Sequence, residues 1–173
     1  NWAQVARNNL LLTLGGWLSE QFIDHLNGTT YGIFDPRLPR ITDPAISPTN
    51  ANYPRWIGTV NGFGNRNNPP HNNTVKDENY ISILLVTYAE LKFIEAEAAF
   101  ATDRPRAYAA YLAGVRANMD KLLVLAPDRD MYLASPIVAV GASNLTLALI
   151  FKEKYVSTYL NPEAWNDARR HNY

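Results

Sequence analysis

Apolar residues recur every three or four positions along two long stretches of the chain, and a short polar link joins them. The first stretch, YISILLVTYAELKFIEAEAAF, places Leu84, Tyr88, Leu91, Ile94, Ala98 and the following Ala101 at the spacing of one buried helical face. The second, PRAYAAYLAGVRANMDKLL, does the same with Tyr108, Tyr111, Leu112, Val115, Met119, Leu122 and Leu123. Between them lies only Thr102-Asp103-Arg104, and Pro105 opens the return helix, where its missing N–H costs nothing. Alanines at 96, 98, 99, 107, 109, 110 and 113 leave room for two backbones to approach closely. The pattern predicts an antiparallel helix hairpin over residues 80–125, a scaffold with no chemistry of its own.

The remainder of the chain sorts around that hairpin. Residues 1–14 mix apolar and polar positions and then meet Gly15-Gly16, which weakens any helix there. Ser19 is placed to cap a short helix using Leu18, Phe22, Ile23 and Leu26, and Asn27-Gly28 is a stop signal. From Thr29 to Asn79 the character changes. Asp35-Pro36, Leu38-Pro39, Asp43-Pro44, Ser47-Pro48, Tyr53-Pro54 and Pro69-Pro70 push their preceding residues away from helix. So long a stretch without regular structure points to function or disorder. Tyr31, Phe34, Tyr53, Trp56, Ile57 and Phe63 favour an ordered, functional excursion, because such rings are either buried or bind something.

After the hairpin, Ala126-Pro127-Asp128-Arg129-Asp130 reads as a turn, and Tyr132 to Val140 is interrupted by Ser135-Pro136. Ser143 is placed to cap a third long helix, SNLTLALIFKEKYVSTYL, with Leu147, Phe151, Tyr155 and Tyr159 on one face. Asn161-Pro162-Glu163 opens a last short helix with a cap, a proline and an acid in its first turn. The expected fold is therefore mainly α: antiparallel helix hairpins with a long irregular loop excursion. The expected organisation is one domain over 1–173, with a helical lead-in at 1–28, an irregular binding excursion at 29–79 and a helical scaffold at 80–173.

Composition narrows the function classes. The 173 residues carry 16 basic and 16 acidic side chains, so no electrostatic footprint for nucleic acid exists. With 47% hydrophobic residues the chain is not wholly disordered, and no run approaches the roughly twenty apolar residues that span a bilayer. Without cysteine there is no disulfide framework, thiol nucleophile or thiolate metal site. The chain opens Asn1-Trp2-Ala3 and stops at Tyr173 after a charged helical stretch, and is expected to be an interior portion of a longer protein.

Catalytic and metal constellations are weak. Glu90 and Glu97 are seven apart and lie on nearly the same helical face, so a glycosidase pair is conceivable. Carboxylates on an alanine-rich helix more often pair with arginines, here Arg116, Arg169 or Arg170. His25, His71 and His171 have no partner at ligand spacing, and Asp128-x-Asp130 is not completed into a calcium loop. No metal and no cofactor are expected. The binding candidate is the excursion: Tyr53, Trp56 and Phe63 offer flat apolar faces, while Asn65 and Asn67, with Asn61 and Asn68, offer paired donors and acceptors. Sugars present C–H faces and hydroxyl edges that match both. The competing reading is that each ring only pins the loop to the helices.

Four landmarks, in order, carry a resemblance. They are Asp35-Pro36-Arg37-Leu38; then Ala89-Glu90, Phe93 and Ala96-Glu97-Ala98; then Tyr111 with Gly114-Val115-Arg116-Ala117; then Glu163-Ala164-Trp165 with Arg169-Arg170. At these positions the chain resembles the SusD/RagB-like proteins. That resemblance implies a helical, tetratricopeptide-like α-α superhelix and a surface-exposed outer-membrane lipoprotein of Bacteroidetes-type bacteria. It implies a non-enzymatic lid on a SusC-like TonB-dependent β-barrel transporter, capturing polysaccharide or oligosaccharide, less often peptide. A lipid-bearing cysteine would precede Asn1, and the family pattern continues with a proline where this chain has His171-Asn172-Tyr173. Arg169-Arg170 is expected to be structural. Two other classes stand beside this reading: a helical-repeat protein-interaction scaffold, and an α-helical glycoside hydrolase using Glu90 and Glu97.

Overall fold

The computed structural model describes residues 18–42, 56, 58, 86–159 and 161–170. Among them the regular structure is seven helices, with no strand beyond isolated bridge residues. The fold is mainly α, as the periodicity predicts. The chain divides into two compact units, Asn1–Ile83 and Leu84–Tyr173.

In the first unit, α1 spans Glu20–Leu26 and buries Phe22, Ile23 and Leu26. Ser19 caps it as expected, its Oγ accepting from the Phe22 amide at 3.2 Å. Asn27 ends it, and Gly28 follows at φ +94°, the left-handed conformation that glycine adopts without a Cβ penalty. The loop then closes on itself: the Asp35 amide donates to the Leu26 carbonyl at 2.8 Å. Helix α2, Leu38–Ile41, is a single turn inside the stretch expected to be irregular. It is held by the first sequence landmark. Asp35 and Arg37 are both fully buried, and the carboxylate accepts from the Arg37 amide at 2.9 Å and from its guanidinium at 2.5–3.1 Å. A buried pair of this kind costs desolvation, and multiple hydrogen bonds are what offset it.

In the second unit, α3 (Tyr88–Ala99) and α4 (Arg104–Lys121) form the expected hairpin. Helix α3 starts at Tyr88, not near Tyr80, because Thr87 is extended and its Oγ1 caps the Glu90 amide at 3.1 Å. Asp103 caps α4 through the Arg106 amide at 3.0 Å, with Pro105 in the first turn. The seam is made of small residues. Ala89, Ala96 and Ala99 on α3 and Ala107 and Ala110 on α4 are all buried, and a Cβ on Gly114 would lie 3.0 Å from the Phe93 ring. That close packing corrects the face expected for α3: Tyr88, Leu91, Ile94, Ala98 and Ala101 are exposed, and Ala89, Glu90, Phe93, Ala96 and Ala99 are buried. On α4 the expected face holds at Tyr111, Val115, Met119 and Leu122, while Leu123 is exposed.

Residues 126–130, expected to be a turn, begin helix α5 (Ala126–Ala134), with Pro127 in its first turn and Tyr132 and Leu133 buried. It stops at Ser135, which is extended ahead of Pro136. Helix α6 is Leu147–Ser157, and its cap is Thr146, not Ser143; Thr146 Oγ1 accepts from the Leu149 amide at 3.2 Å. Leu147 and Tyr155 of its expected buried face are exposed, and Ile150, Lys152, Glu153, Lys154 and Val156 are buried with Phe151. Helix α6 packs on both arms of the hairpin, and α5 packs on α4. Arg104 ties these parts together: it donates to the Ser143 and Leu145 carbonyls at 3.2 and 2.7 Å and lies 4.0 Å above the Phe100 ring. Asn161 caps α7 (Glu163–Arg170), as expected, by accepting from the Glu163 amide at 3.0 Å.

Candidate functional site

Of the five residues expected to bind ligand, Trp56 lies in the described structure; Tyr53, Phe63, Asn65 and Asn67 lie outside the described residues. Trp56 is half-buried in the first unit, and its carbonyl accepts from Asn27 Nδ2 at 3.2 Å. The same amide nitrogen donates to Asp24 Oδ1 at 3.1 Å, so the end of α1 fixes the Trp56 backbone. Two residues on, Gly58 runs so close to Ser19 and Glu20 that there is no space for a Cβ. To this extent the pinning role holds for Trp56.

Its ring has a neighbour that the sequence places among the aromatics of the excursion but not among the expected ligand contacts. Phe34 lies 5.2 Å away, centroid to centroid, with the planes tilted by 54°. Phe34 is 43% exposed, although the residue after it is fully buried. The signal was an aromatic residue immediately before the Asp35-Pro36-Arg37-Leu38 landmark. The Trp56 Nε1 donor is buried without a hydrogen-bond acceptor. In the same unit, Tyr31 and His25 form a second tilted contact at 5.2 Å. The arrangement leaves one flat aromatic face open, that of Phe34.

The carboxylates of the second unit are arranged for structure. Arg170 holds Glu97 through both guanidinium nitrogens, one at 2.9 Å, and reaches Asp167 at 2.8 Å. Lys154 Nζ, nearly buried, stands 2.7 Å from Asp167 and 3.8 Å from Glu97. Glu95 pairs with Lys92 and Arg106, and the Lys92 contact followed by that of Arg106 holds its carboxyl below the usual range. Arg116 pairs with Asp130, and Arg169 is exposed. Thr87 and Glu90 have the spacing of a capping box, but Glu90 turns its carboxylate inward, and its buried Oε2 has no hydrogen-bond partner. Of the two glutamates of the hydrolase reading, Glu97 is thus committed to cations. Among the described residues no group of His, Asp or Glu is placed to hold a metal ion, and no helix is long and apolar enough to cross a membrane.

Residues 1–173 match the model of the SusD-like family described as "Starch-binding associating with outer membrane". The chain belongs to that SusD-like family. The match covers all four landmarks, and two of them now have physical content: Asp35-Pro36-Arg37-Leu38 is a buried ion-pair knot, and Glu97 and Arg170 join the second landmark to the fourth. No curated protein and no solved structure matches the chain. The SusD-like family description gives starch binding and association with the outer membrane.

Proposed function

We propose that this SusD-like chain captures glycan at the cell surface without catalysis and delivers it to a SusC-like TonB-dependent β-barrel in the outer membrane. The match along the whole of 1–173 carries the reading. An exposed aromatic ring supported from below gives it a physical basis, because a pre-formed platform loses little entropy on binding. The ligand is an oligosaccharide or polysaccharide of starch type, with peptide as the less favoured class. Tyr53, Trp56, Phe63, Asn65 and Asn67 are the proposed contacts in the excursion. A lipid anchor on a segment ahead of Asn1 would hold the protein at the surface, and both units would serve as one functional domain. Since Glu97 is gripped by Arg170 and Lys154, Glu97→Gln would leave glycan binding in place, and no turnover is expected to be lost.

The test is affinity capture of the tagged full-length protein from native outer membranes, together with calorimetric titration of starch oligosaccharides. Co-purification of a large TonB-dependent barrel and saturable binding without hydrolysis support the reading. Hydrolysis of the oligosaccharide by the pure protein, or an intact bait that brings down no barrel, defeats it. In the second case the interaction-scaffold reading takes over, favoured by the exposed apolar residues Tyr88, Leu91 and Ile94 along α3.

A further inference from the structure

We propose that α7 is an electrostatic latch, held to α3 and α6 by ion pairs and not by apolar burial. It opens as a unit while the helix hairpin stays folded. Among the seven described helices α7 alone buries no residue. Trp165, its one large apolar side chain, is 68% exposed. Two cations and two carboxylates do the holding. Arg170 grips Glu97 on the last turn of α3, and Lys154 on α6 stands 2.7 Å from Asp167. Arg170 also reaches Asp167 at 2.8 Å and Lys154 stands 3.8 Å from Glu97, so each cation bridges both acids. The other side-chain hydrogen bonds of α7, Asn166 to Glu163 and the Glu163 amide to Asn161, are local to the helix and its cap.

Apolar burial is what ordinarily commits a surface helix to a domain, and regions without it open at a fraction of the global stability. Eight residues are too few for a helix to persist alone in water, so α7 unwinds once its ion pairs part. The pivot is Asn161-Pro162, where proline has no amide to bond back to α6. Opening uncovers the Lys154 ammonium and the Glu97 carboxylate, which are 6% and 19% exposed while the helix is closed. Ionic strength is the control. Arg170 is half exposed, so salt reaches the pair that fastens the end of the helix.

The experiment is hydrogen exchange on the full-length protein, read at the amides of residues 167–170 in α7 and 115–119 in α4. In wild type the α7 amides are expected to be about a hundredfold less protected than those of α4. Raising NaCl from about 0.05 M to about 1 M is expected to speed α7 exchange about two- to fivefold. Urea at about 1 M is expected to speed α4 exchange about tenfold and leave α7 nearly unchanged, because so short a helix exposes little surface on opening. With Asp167→Asn and Arg170→Gln together, α7 is expected to exchange about fivefold faster at low salt and to lose its salt response. Protection of α7 equal to that of α4, with the same response to urea, overturns the latch, because α7 then opens only with the rest of its unit. Fast exchange that ignores both salt and the double variant overturns it as well, since the helix then frays without being held by charge.

Discussion

Glu97 and Arg170 are 73 residues apart in the chain and meet fork to fork, both guanidinium nitrogens against both carboxylate oxygens. The pair fastens α7 to the last turn of α3, and Lys154 on α6 is its third member. Arg170 is about half exposed, so the pair alone is screened by solvent and contributes little; Arg170→Ala is expected to cost about 0.5–1 kcal/mol in urea unfolding. Glu97→Ala is expected to cost more, about 1–3 kcal/mol, because the nearly buried Lys154 then keeps Asp167 as its remaining carboxylate neighbour among these residues. Equal losses for the two variants would show that Lys154 does not feel Glu97.

The same network sets an acid limit. Burial pushes the Asp167 carboxyl up, but Lys154 and Arg170 pull it further down, so it ends below its ordinary 3.8. A folded value below the unfolded one means that the stabilisation is complete above about pH 5 and is lost as pH falls through the folded value. Asp167→Asn is therefore expected to lower stability at pH 6 and to flatten the decline between about pH 4 and pH 2. Urea midpoints measured across that range decide it: parallel curves for the two proteins would remove Asp167 from the acid transition.

Much of this architecture was legible because it is local. Ser19, Gly28, Asp103, Pro105 and Asn161 act on residues within one turn, and each does what its type predicts. The face of α3 was misread for a tertiary reason. That helix is apolar on both sides, and the seat of the Phe93 ring against Gly114 chose the alanine side over the side bearing Leu91 and Ile94. Helix α5 was hidden by Pro127-Asp128, which open a helix and a turn equally well. Three consecutive charged residues, Lys152-Glu153-Lys154, lie off the apolar face expected for α6, yet they are buried with partners from α5, α3 and α7. At the candidate site, Trp56 was recognisable as an aromatic in an irregular stretch, but its pairing with Phe34 depends on how the loop folds back, which no local spacing encodes.

Tyr132, Lys152 and Glu153 form a buried polar cluster between α5 and α6. Lys152 Nζ donates to Tyr132 Oη at 2.7 Å and to Glu153 Oε1 at 2.5 Å, and Tyr132 Oη donates to Glu153 Oε1 at 2.9 Å. Removing the Glu153 carboxylate takes a hydrogen-bonded counter-charge from Lys152 in a buried setting, so Glu153→Ala is expected to cost about 3–5 kcal/mol. Tyr132→Phe removes a hydroxyl that both accepts and donates, and is expected to cost about 1–3 kcal/mol. Replacing the ion pair as a unit, with Lys152→Met and Glu153→Leu together, is expected to recover most of the loss. A double variant as unstable as Glu153→Ala would mean that the charges serve something other than each other.

Leu123 closes α4 in a conformation that suits glycine. Its φ is +56°, the Leu123 amide donates to the Asp120 carbonyl at 3.1 Å, and the Val124 amide donates to Met119 at 3.0 Å. Those two bonds are the left-handed helix stop that usually places glycine at this position. A leucine there crowds its Cβ against the backbone at a cost of about 1–2 kcal/mol. The side chain gains little in return, being 67% exposed. Glycine would relieve the strain but add freedom to the unfolded chain, so the net effect of Leu123→Gly is a stabilisation of about 0.5–1 kcal/mol. Leu123→Ala keeps the strained Cβ and is expected to leave stability nearly unchanged, which separates strain from side-chain size. If chemical denaturation finds the glycine variant less stable than wild type, the exposed leucine is being held by contacts that its exposure does not reveal.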